Sequence, residues 1–270
     1  MYHSSTFYAE GNLRHPSRIL VTGRSGSGKT TTVVDLINRV YRVLLGENGR
    51  LIVVSSTWYE QPLFNSIRDM VKSEKDVYIY PKKKMFVEIL NKLKLETNLF
   101  REKGLPPLNS LILVDDFSGT NEIHSPHSGI SNLSVMSNHQ NLSMIVISQQ
   151  PAQTCNAFRQ NVNALIAYPP TSMAGFTMLF SEFNSNLMSK ANFTKMCKKA
   201  WTGNKEDKSE YGQHFLFVYL PSRAPTRYFV DYTEEITPIT YQKRAPLANG
   251  RDFTKKRQTI KKMLEMDEDE

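Results

Sequence analysis

A glycine-rich turn near the start of the chain constrains the fold more than any other stretch. The apolar run at 18–22 predicts a short strand, and the residues from Lys29 onward predict a helix. Between them, Gly23-x-x-x-x-Gly28-Lys29-Thr30 completes a Walker A motif in the strand-before, helix-after context that it requires. Glycine adopts backbone angles that are closed to other residues, so such a loop can wrap around an anion. The stretch predicts a phosphate-binding loop, and a glycine-rich turn without a nucleotide is the alternative.

The loop residues have separate expected roles. The backbone amides of the turn and the start of the helix form a concave positive site for phosphate. Lys29 is expected to reach the outer phosphates, and the Thr30 hydroxyl is expected to hold Mg²⁺. The predicted nucleotide-binding set is Gly23, Ser25, Gly26, Ser27, Gly28, Lys29, Thr30 and Thr31.

A second motif ends on two carboxylates. Residues 111–114 are apolar and predict a buried strand, which Asp115 and Asp116 follow directly, as in a Walker B motif. Such a strand delivers its acids to the carboxyl edge of the sheet, where ligands bind. Asp115 is expected to hold the hydration shell of Mg²⁺, and Asp116 to orient and polarise the attacking water. The alternative is a strand that ends in a turn with acidic caps.

A third apolar strand, at 144–147, runs into Ser148-Gln149-Gln150-Pro151. A polar side chain at the end of a strand beside the Walker B strand can reach the γ-phosphate or the attacking water. Gln149 is our candidate, because an amide donates to phosphate and accepts from water at once. The alternative is that Gln149 and Gln150 only cap the strand.

The remaining pattern alternates strands with helices. It predicts an α/β fold of the P-loop NTPase type (RecA-like), in which helices flank a central, mostly parallel sheet. Further strands are predicted at 51–54, 77–80 and 164–168, and helices at 29–45, 85–100, 173–180 and 192–201. Residues 58–71 are a connection with some helical spacing. Strands at 214–220 and 227–230 are expected to pair as an edge hairpin.

Three segments are expected along the chain. Residues 1–17 form an amino-terminal extension, 18–231 the P-loop domain, and 232–270 a partly flexible tail with a basic block followed by an acidic one. The net charge of +8 favours nucleic acid or another polyanion as a partner. Two cysteines are too few for a disulfide framework, which indicates a reducing intracellular compartment. The apolar runs are too short to span a bilayer, and the first residues lack a signal-peptide layout, so no membrane contact is expected.

Several of these segments together resemble a known family. They are His15-Pro16 before the first strand, 111–116, and 137–168, with its polar lead-in, strand and Ser148-Gln149 pair. Over about residues 14 to 230 the chain resembles the viral genome-packaging ATPases of the FtsK/HerA superfamily, which include poxvirus, polinton and virophage enzymes. The Walker motifs are common to many NTPases, and the segment around Ser148-Gln149 points to this branch.

The resemblance implies an ATPase with ATP and Mg²⁺ as cofactors. Its subunits are expected to form a ring of five or six around double-stranded DNA and to push the genome into a preformed capsid, docked at a capsid vertex or portal protein. The expected location is the host nucleus, a cytoplasmic virus factory or the virion. Lys29 and Thr30 match the nucleotide positions, Asp115 the metal position and Gln149 the sensor position.

The chain departs from the family at the second Walker B acid, where Asp116 stands in place of the usual glutamate. Its shorter side chain sets the carboxylate further from the water, which is expected to slow hydrolysis. An arginine finger from a neighbouring subunit is also implied, because it stabilises charge on the γ-phosphate. Arg159 is the first candidate and Arg24 the second. For Arg159, a structural salt bridge is the alternative.

Other functions fit the same motifs. A nucleoside or nucleotide kinase shares the Walker A motif and the parallel sheet, but it needs an arginine-bearing lid, and no arginine cluster stands in a lid-like position. Another DNA helicase or translocase is a further alternative. A nucleotide-dependent switch and an assembly ATPase for phage extrusion are the remaining ones, and the latter usually carries a membrane segment.

Overall fold

The structure, a computed structural model, describes residues 13–80, 84–115, 129–184, 188–202, 214–221 and 224–237. Within these ranges the strands are β1 (Arg18–Thr22), β2 (Arg50–Ser55), β3 (Val77–Tyr78), β4 (Ser110–Asp115), β5 (Leu142–Ser148), β6 (Ala164–Ala167), β7 (Leu216–Tyr219), β8 (Arg227–Val230) and β9 (Glu234–Ile236). They form one sheet in the order β3-β2-β4-β5-β1-β6-β7-β8-β9. In this spatial order, the first six strands, β3 to β6, pair in parallel. The last three, β7, β8 and β9, add antiparallel pairs. The predicted fold class is confirmed.

Helices connect the strands and cover the sheet. The α-helices in the described ranges are α1 (Lys29–Leu36), α2 (Arg42–Leu45), α3 (Met85–Glu102), α4 (Gly129–Met136), α5 (Asn156–Gln160), α6 (Met173–Phe183) and α7 (Lys190–Thr202). A π-helical turn, Ile37–Tyr41, joins α1 to α2 within the helix predicted at 29–45. Short 3-10 helices lie at Pro62–Met70, Glu74–Asp76 and Pro151–Gln153. No helix of the described part has both the length and the apolar character to cross a membrane.

The central strands are apolar on both faces because both faces are covered, as parallel strands require. In β1, Ile19 and Val21 pack in one cluster with α1, the π-helical turn and the 3-10 helix Pro62–Met70. Leu20, between them, faces the opposite cluster, which α3, α4, α6 and α7 complete. The side-chain period of two in a strand therefore divides the core into two layers.

The amino edge of the sheet is closed by hydrogen bonds from the residues before β1. The buried Ser143 hydroxyl lies 2.7 Å from Nδ1 of His15 and accepts a 2.9 Å bond from the Ser17 amide. Nε2 of His15 donates to the Asn141 carbonyl at 3.0 Å, and burial lowers the pKa of the ring, which favours its neutral form. In that form the proton is on Nε2, and Nδ1 accepts from the Ser143 hydroxyl. The Ser17 hydroxyl bonds to Tyr41, and burial raises the pKa of that phenol to about 12.

The sheet differs from the predicted one at its two ends. β3 covers only Val77–Tyr78 of the strand predicted at 77–80. At the other end, β7 and β8 pair antiparallel as predicted, but β9 lies outside them, so the hairpin is not the edge. β9 also continues the sheet past residue 231, the expected end of the domain. Asp116 and the basic and acidic blocks of the tail lie outside the described residues.

Candidate nucleotide-binding site

A cleft of about 430 Å³ opens at the carboxyl edge of the parallel strands, beside the glycine-rich turn. Its lining is Ser25, Gly26, Ser27, Gly28, Lys29, Thr30, Thr31, Thr57, Gln61, Leu63, Asp115, Ile147, Ser148 and Gln149. Four segments of the chain therefore meet here: the Walker A loop, the connection after β2, the end of β4 and the end of β5. Seven of the eight predicted nucleotide-binding residues line the cleft, and Gly23 lies at the end of β1 where the loop begins.

Strand order explains why these segments meet. β5 lies between β1 and β4, and the register pairs Thr22 with Ser148 and Val114 with Val146. Parallel strands that end level with one another place the residues that follow them at one edge. Lys29 and Thr30 follow β1 through the loop, Asp115 ends β4, and Gln149 follows β5.

Two glycines show why the loop needs this residue type. Gly28 has φ 86° and ψ 7° at the start of α1, a left-handed conformation that residues with a Cβ avoid. A Cβ on Gly23 would lie 2.5 Å from the Cβ of Tyr168, so no side chain fits there. The loop is thus packed onto the residue that follows β6.

The loop carries two polar groups suited to a phosphate. Lys29 is only 9% exposed, and its ammonium group donates 2.7 Å hydrogen bonds to the carbonyls of Gly23 and Arg24. It therefore curls over the turn instead of extending into water. The Ser27 hydroxyl is buried and has no hydrogen-bond partner among the described residues. A buried hydroxyl without a described partner and a cation on the same loop fit an anion such as a triphosphate.

The cleft also fits a magnesium ion. Asp115 is 7% exposed at the end of β4 and lines the same cleft as the Thr30 hydroxyl. Within the described ranges, no group of three His, Cys, Asp or Glu residues is arranged to hold a metal alone. Mg²⁺ needs no such cage, because it commonly uses one or two protein oxygens together with waters and phosphate oxygens. Thr30 and Asp115 would supply the protein's share.

Gln149 is exposed along the cleft directly after β5. The side-chain oxygen of Gln153 accepts from the backbone amides of Gln149, at 3.1 Å, and Gln150, at 3.0 Å. Gln153 thus caps the end of this strand, which was the alternative role for Gln149 and Gln150. The role of Gln149 at the γ-phosphate stays a prediction.

The two candidate arginine fingers lie in different settings. Arg159, on α5, is outside the cleft lining, and its Nε lies 2.8 Å from a Glu182 carboxylate oxygen. Its Nη1 also donates to the carbonyls of Pro151 and Thr154. This arrangement is the structural salt bridge that we held as the alternative. Arg24 is exposed on the Walker A loop itself. A finger acts on the nucleotide of a neighbouring subunit, so both assignments stay predictions.

Sequence reasoning missed Tyr168 as a support of the loop. This residue follows β6 and is 1% exposed, and its amide donates to the Thr22 carbonyl at 2.9 Å. Its hydroxyl lies 2.5 Å from the Thr32 hydroxyl, on the first turns of α1. Tyr168 therefore fixes both the glycine that opens the loop and the helix that closes it. The strand-end argument used for Gln149 applies equally to β6 and was the available signal.

Sequence reasoning also missed the wall formed by the connection after β2. Thr57, Gln61 and Leu63 line the cleft, and they follow β2, the strand that lies beside β4 on the side away from β5. The motif gave no reason to expect them, because the connection is 3-10 helical and its residues have no Walker-type spacing.

Comparisons with known proteins identify the fold. No family model and no curated protein matches the sequence. Among solved structures, the DNA-packaging ATPase B204 of Sulfolobus turreted icosahedral virus matches with a TM-score of 0.54 and 12% identity, over 80% of this chain and 98% of that one. The genome packaging NTPase B204 of Sulfolobus turreted icosahedral virus 2, in complex with ATPγS, matches with a TM-score of 0.52 and 14% identity, over 83% of this chain and 100% of that one. This chain has the P-loop NTPase fold of the viral genome-packaging NTPase B204.

Proposed function

We propose that this protein is an ATP-hydrolysing motor that moves double-stranded viral DNA into a preformed capsid. The observation that carries the proposal is the convergence of Lys29, Thr30, Asp115 and Gln149 on one cleft. It gains support from a fold shared with a packaging NTPase whose structure holds ATPγS. The site chemistry supports nucleotide hydrolysis, and the fold likeness supports DNA packaging as its purpose.

Each residue has a part in the proposed reaction. Lys29 moves its ammonium group from the loop carbonyls to the outer phosphates and offsets their charge. Thr30 and Asp115 would hold Mg²⁺, and the metal would supply positive charge that offsets the charge developing on the phosphates. Gln149 donates to the γ-phosphate or positions the attacking water. Asp116, the next residue after Asp115, takes the proton of that water.

The motor requires partners beyond this subunit. A ring of five or six copies around the duplex would let an arginine of one subunit complete the site of the next. The net charge of +8 favours contact with the phosphate backbone. The proposed docking partner is a capsid vertex or portal protein, and the proposed location is the host nucleus, a virus factory or the virion.

The decisive experiment measures ATP hydrolysis with and without double-stranded DNA, together with mass by light scattering. We expect hydrolysis that DNA stimulates and a mass of several subunits. The Asp115→Asn variant should lose hydrolysis, whereas Glu47→Gln, which changes an exposed acid on a distant turn, should retain it. Hydrolysis that ignores DNA would contradict the motor, and phosphoryl transfer to a small acceptor would instead identify a kinase.

A further inference from the structure

The strand that ends on Asp115 has a neighbour on each side. β5 lies on one side and leads to Gln149, and β2 lies on the other and leads to a turn that contains Thr57 and Gln61. The register pairs Ser55, the last residue of β2, with Asp115 itself. The carboxyl edge therefore presents an amide side chain from each flank of the central acid. Gln149 directly follows its strand, whereas Gln61 lies six residues beyond the end of β2, and the turn between them returns Gln61 to the cleft.

The turn after β2 is fixed to the core. The backbone amide of Gln61 donates to the Thr57 carbonyl at 2.9 Å, and the backbone carbonyl of Gln61 accepts from the Phe64 amide at 3.2 Å. Trp58 is 2% exposed, with its ring centroid 5.0 Å from that of Phe64. Arg68 donates to the Trp58 carbonyl at 3.2 Å. Gln61 thus starts from an anchored backbone, and its position relative to β2 is set before any ligand binds.

The surroundings of Gln61 favour contact with phosphate. It shares the cleft with Thr30 and Asp115, the residues that would hold Mg²⁺, and a metal there would offset the negative charge of the outer phosphates. The Thr57 hydroxyl lies 3.3 Å from that of Ser55, so the turn that leads from β2 to Gln61 carries polar side chains. A glutamine amide in this wall can donate to a phosphate oxygen and accept from water.

We infer that Gln61 binds the γ-phosphate, or the water that attacks it, from the side of the cleft opposite Gln149. This inference deepens the proposed function and rests on it for the identity of the ligand. Gln61 then contributes to the distinction between a triphosphate and a diphosphate, because a diphosphate has no group at this position. The contact is with the substrate itself, so its loss changes kcat and triphosphate affinity more than diphosphate affinity.

The test compares Gln61→Ala with Glu60→Gln, which changes an exposed residue of the same turn that does not line the cleft. For Gln61→Ala we expect kcat for ATP to fall at least about tenfold, as for loss of one donor to a transition-state oxygen. The Kd for ATPγS with Mg²⁺ should rise several-fold, while the Kd for ADP stays within about twofold of the original. Glu60→Gln should match the unaltered protein in all three measurements.

A second variant tests whether the chemistry of the Gln61 side chain matters and not only its size. Gln61→Glu keeps the size of the side chain and places negative charge beside the γ-phosphate, so ATPγS affinity should fall further than in Gln61→Ala and ADP affinity should again hold. Equal losses for ATPγS and ADP, or an unchanged kcat, would overturn the inference. The proposed motor is tested separately, because DNA can fail to stimulate hydrolysis while the Gln61 variants still discriminate ATPγS from ADP.

Discussion

The two edges of the same parallel sheet are built in opposite ways. At the amino edge, the Ser143 hydroxyl near the start of β5 bonds to the ring of His15 and to the backbone amide of Ser17, both of which precede β1. At the carboxyl edge, polar side chains that follow the same strands point into an open cleft. Satisfied buried polar groups add to stability, whereas polar groups aimed at a cleft are available to a ligand. The comparison shows that the same strands carry stabilising polar contacts at their amino ends and ligand-binding polar groups at their carboxyl ends.

Arg18, at the start of β1, extends the amino-edge network. Its backbone amide donates to the side chain of Asn163 at 2.8 Å, and its Nη1 donates to Ser137 at 2.7 Å. Burial lowers the pKa of its guanidinium from the usual value. These bonds tie β1 to residues more than a hundred positions away, so the edge holds together segments that the sequence keeps apart.

The largest expected effect is loss of activity without loss of fold at the carboxyl edge. Lys29→Ala removes the ammonium group over the loop, and we expect ATP hydrolysis to fall more than about 100-fold, as when a charged transition-state contact is lost. Two of its hydrogen-bond partners are carbonyls of the same loop beside the cleft, where water can replace the ammonium group, so the melting temperature should change little. Lys72→Ala, at an exposed lysine, is the control for charge alone. A large drop in melting temperature would show that the carboxyl edge also stabilises the fold.

The mirror experiment at the amino edge should give the reverse result. Ser143→Ala removes a buried hydroxyl that serves both His15 and the Ser17 amide. Leaving buried polar groups unpaired costs about 1–3 kcal/mol in the free energy of unfolding. Chemical denaturation should show this loss, while ATP hydrolysis per folded molecule stays unchanged. His139→Ala, at an exposed residue near the same edge, should have little effect on either quantity. If folded Ser143→Ala hydrolyses ATP more slowly, the amino edge also affects activity, and the proposed difference between the two edges is contradicted.

Two buried tyrosines, one at each edge of the sheet, allow the same comparison with the loss of a single hydroxyl. Tyr168→Phe removes the hydroxyl bonded to Thr32 beneath the Walker A loop, and Tyr41→Phe removes the hydroxyl bonded to Ser17 at the amino edge. Each variant should lose about 0.5–1.5 kcal/mol of stability, the usual net worth of one hydrogen bond. Only Tyr168→Phe should also raise the KM for ATP, by about two- to fivefold, because it loosens the loop. Equal KM values in the two variants would show that Tyr168 supports the fold alone.

The edges also differ in how far the sequence predicts them. The carboxyl edge follows from local patterns, because the Walker spacing and the polar residues after apolar strands are contiguous in the chain. Parallel strands place the residues that follow them at one edge, and the strand order β4-β5-β1 then brings Lys29, Asp115 and Gln149 to one cleft. Gln61 and Tyr168 belong to no motif of fixed spacing, so no local pattern selects them. Their contacts with the site depend on the order of the strands, which is a property of the folded sheet.

The amino edge and the sheet ends depend on contacts that no local pattern encodes. His15 meets Ser143 across 128 positions, and Arg159 meets Glu182 across 23. β9 contains only Glu234–Ile236, too short for an alternating pattern, and it forms because β8 offers an unpaired edge. The fold class was predictable because it needs only the alternation of buried strands and amphipathic helices.

The smallest expected effect is a pH dependence of stability that comes from the amino edge. Burial lowers the pKa of His15 below its usual value of 6.5, and the hydrogen bond to the Asn141 carbonyl offsets this only in part. The unfolded chain therefore binds a proton at a higher pH than the folded one. Stability from the neutral ring is complete above about pH 6.5 and is lost as the pH falls from there through the folded pKa.

We expect the free energy of unfolding to decrease over that window by less than about 1.4 kcal/mol for each pH unit, the limit for one proton. Denaturation at several pH values, compared between the unaltered protein and His15→Asn, isolates the contribution of this ring from that of other titrating groups. His139→Asn, at an exposed histidine near the same edge, should keep the original profile. If His15→Asn also keeps it, protonation of His15 does not act on the fold, and the amino edge stabilises the sheet without regard to pH.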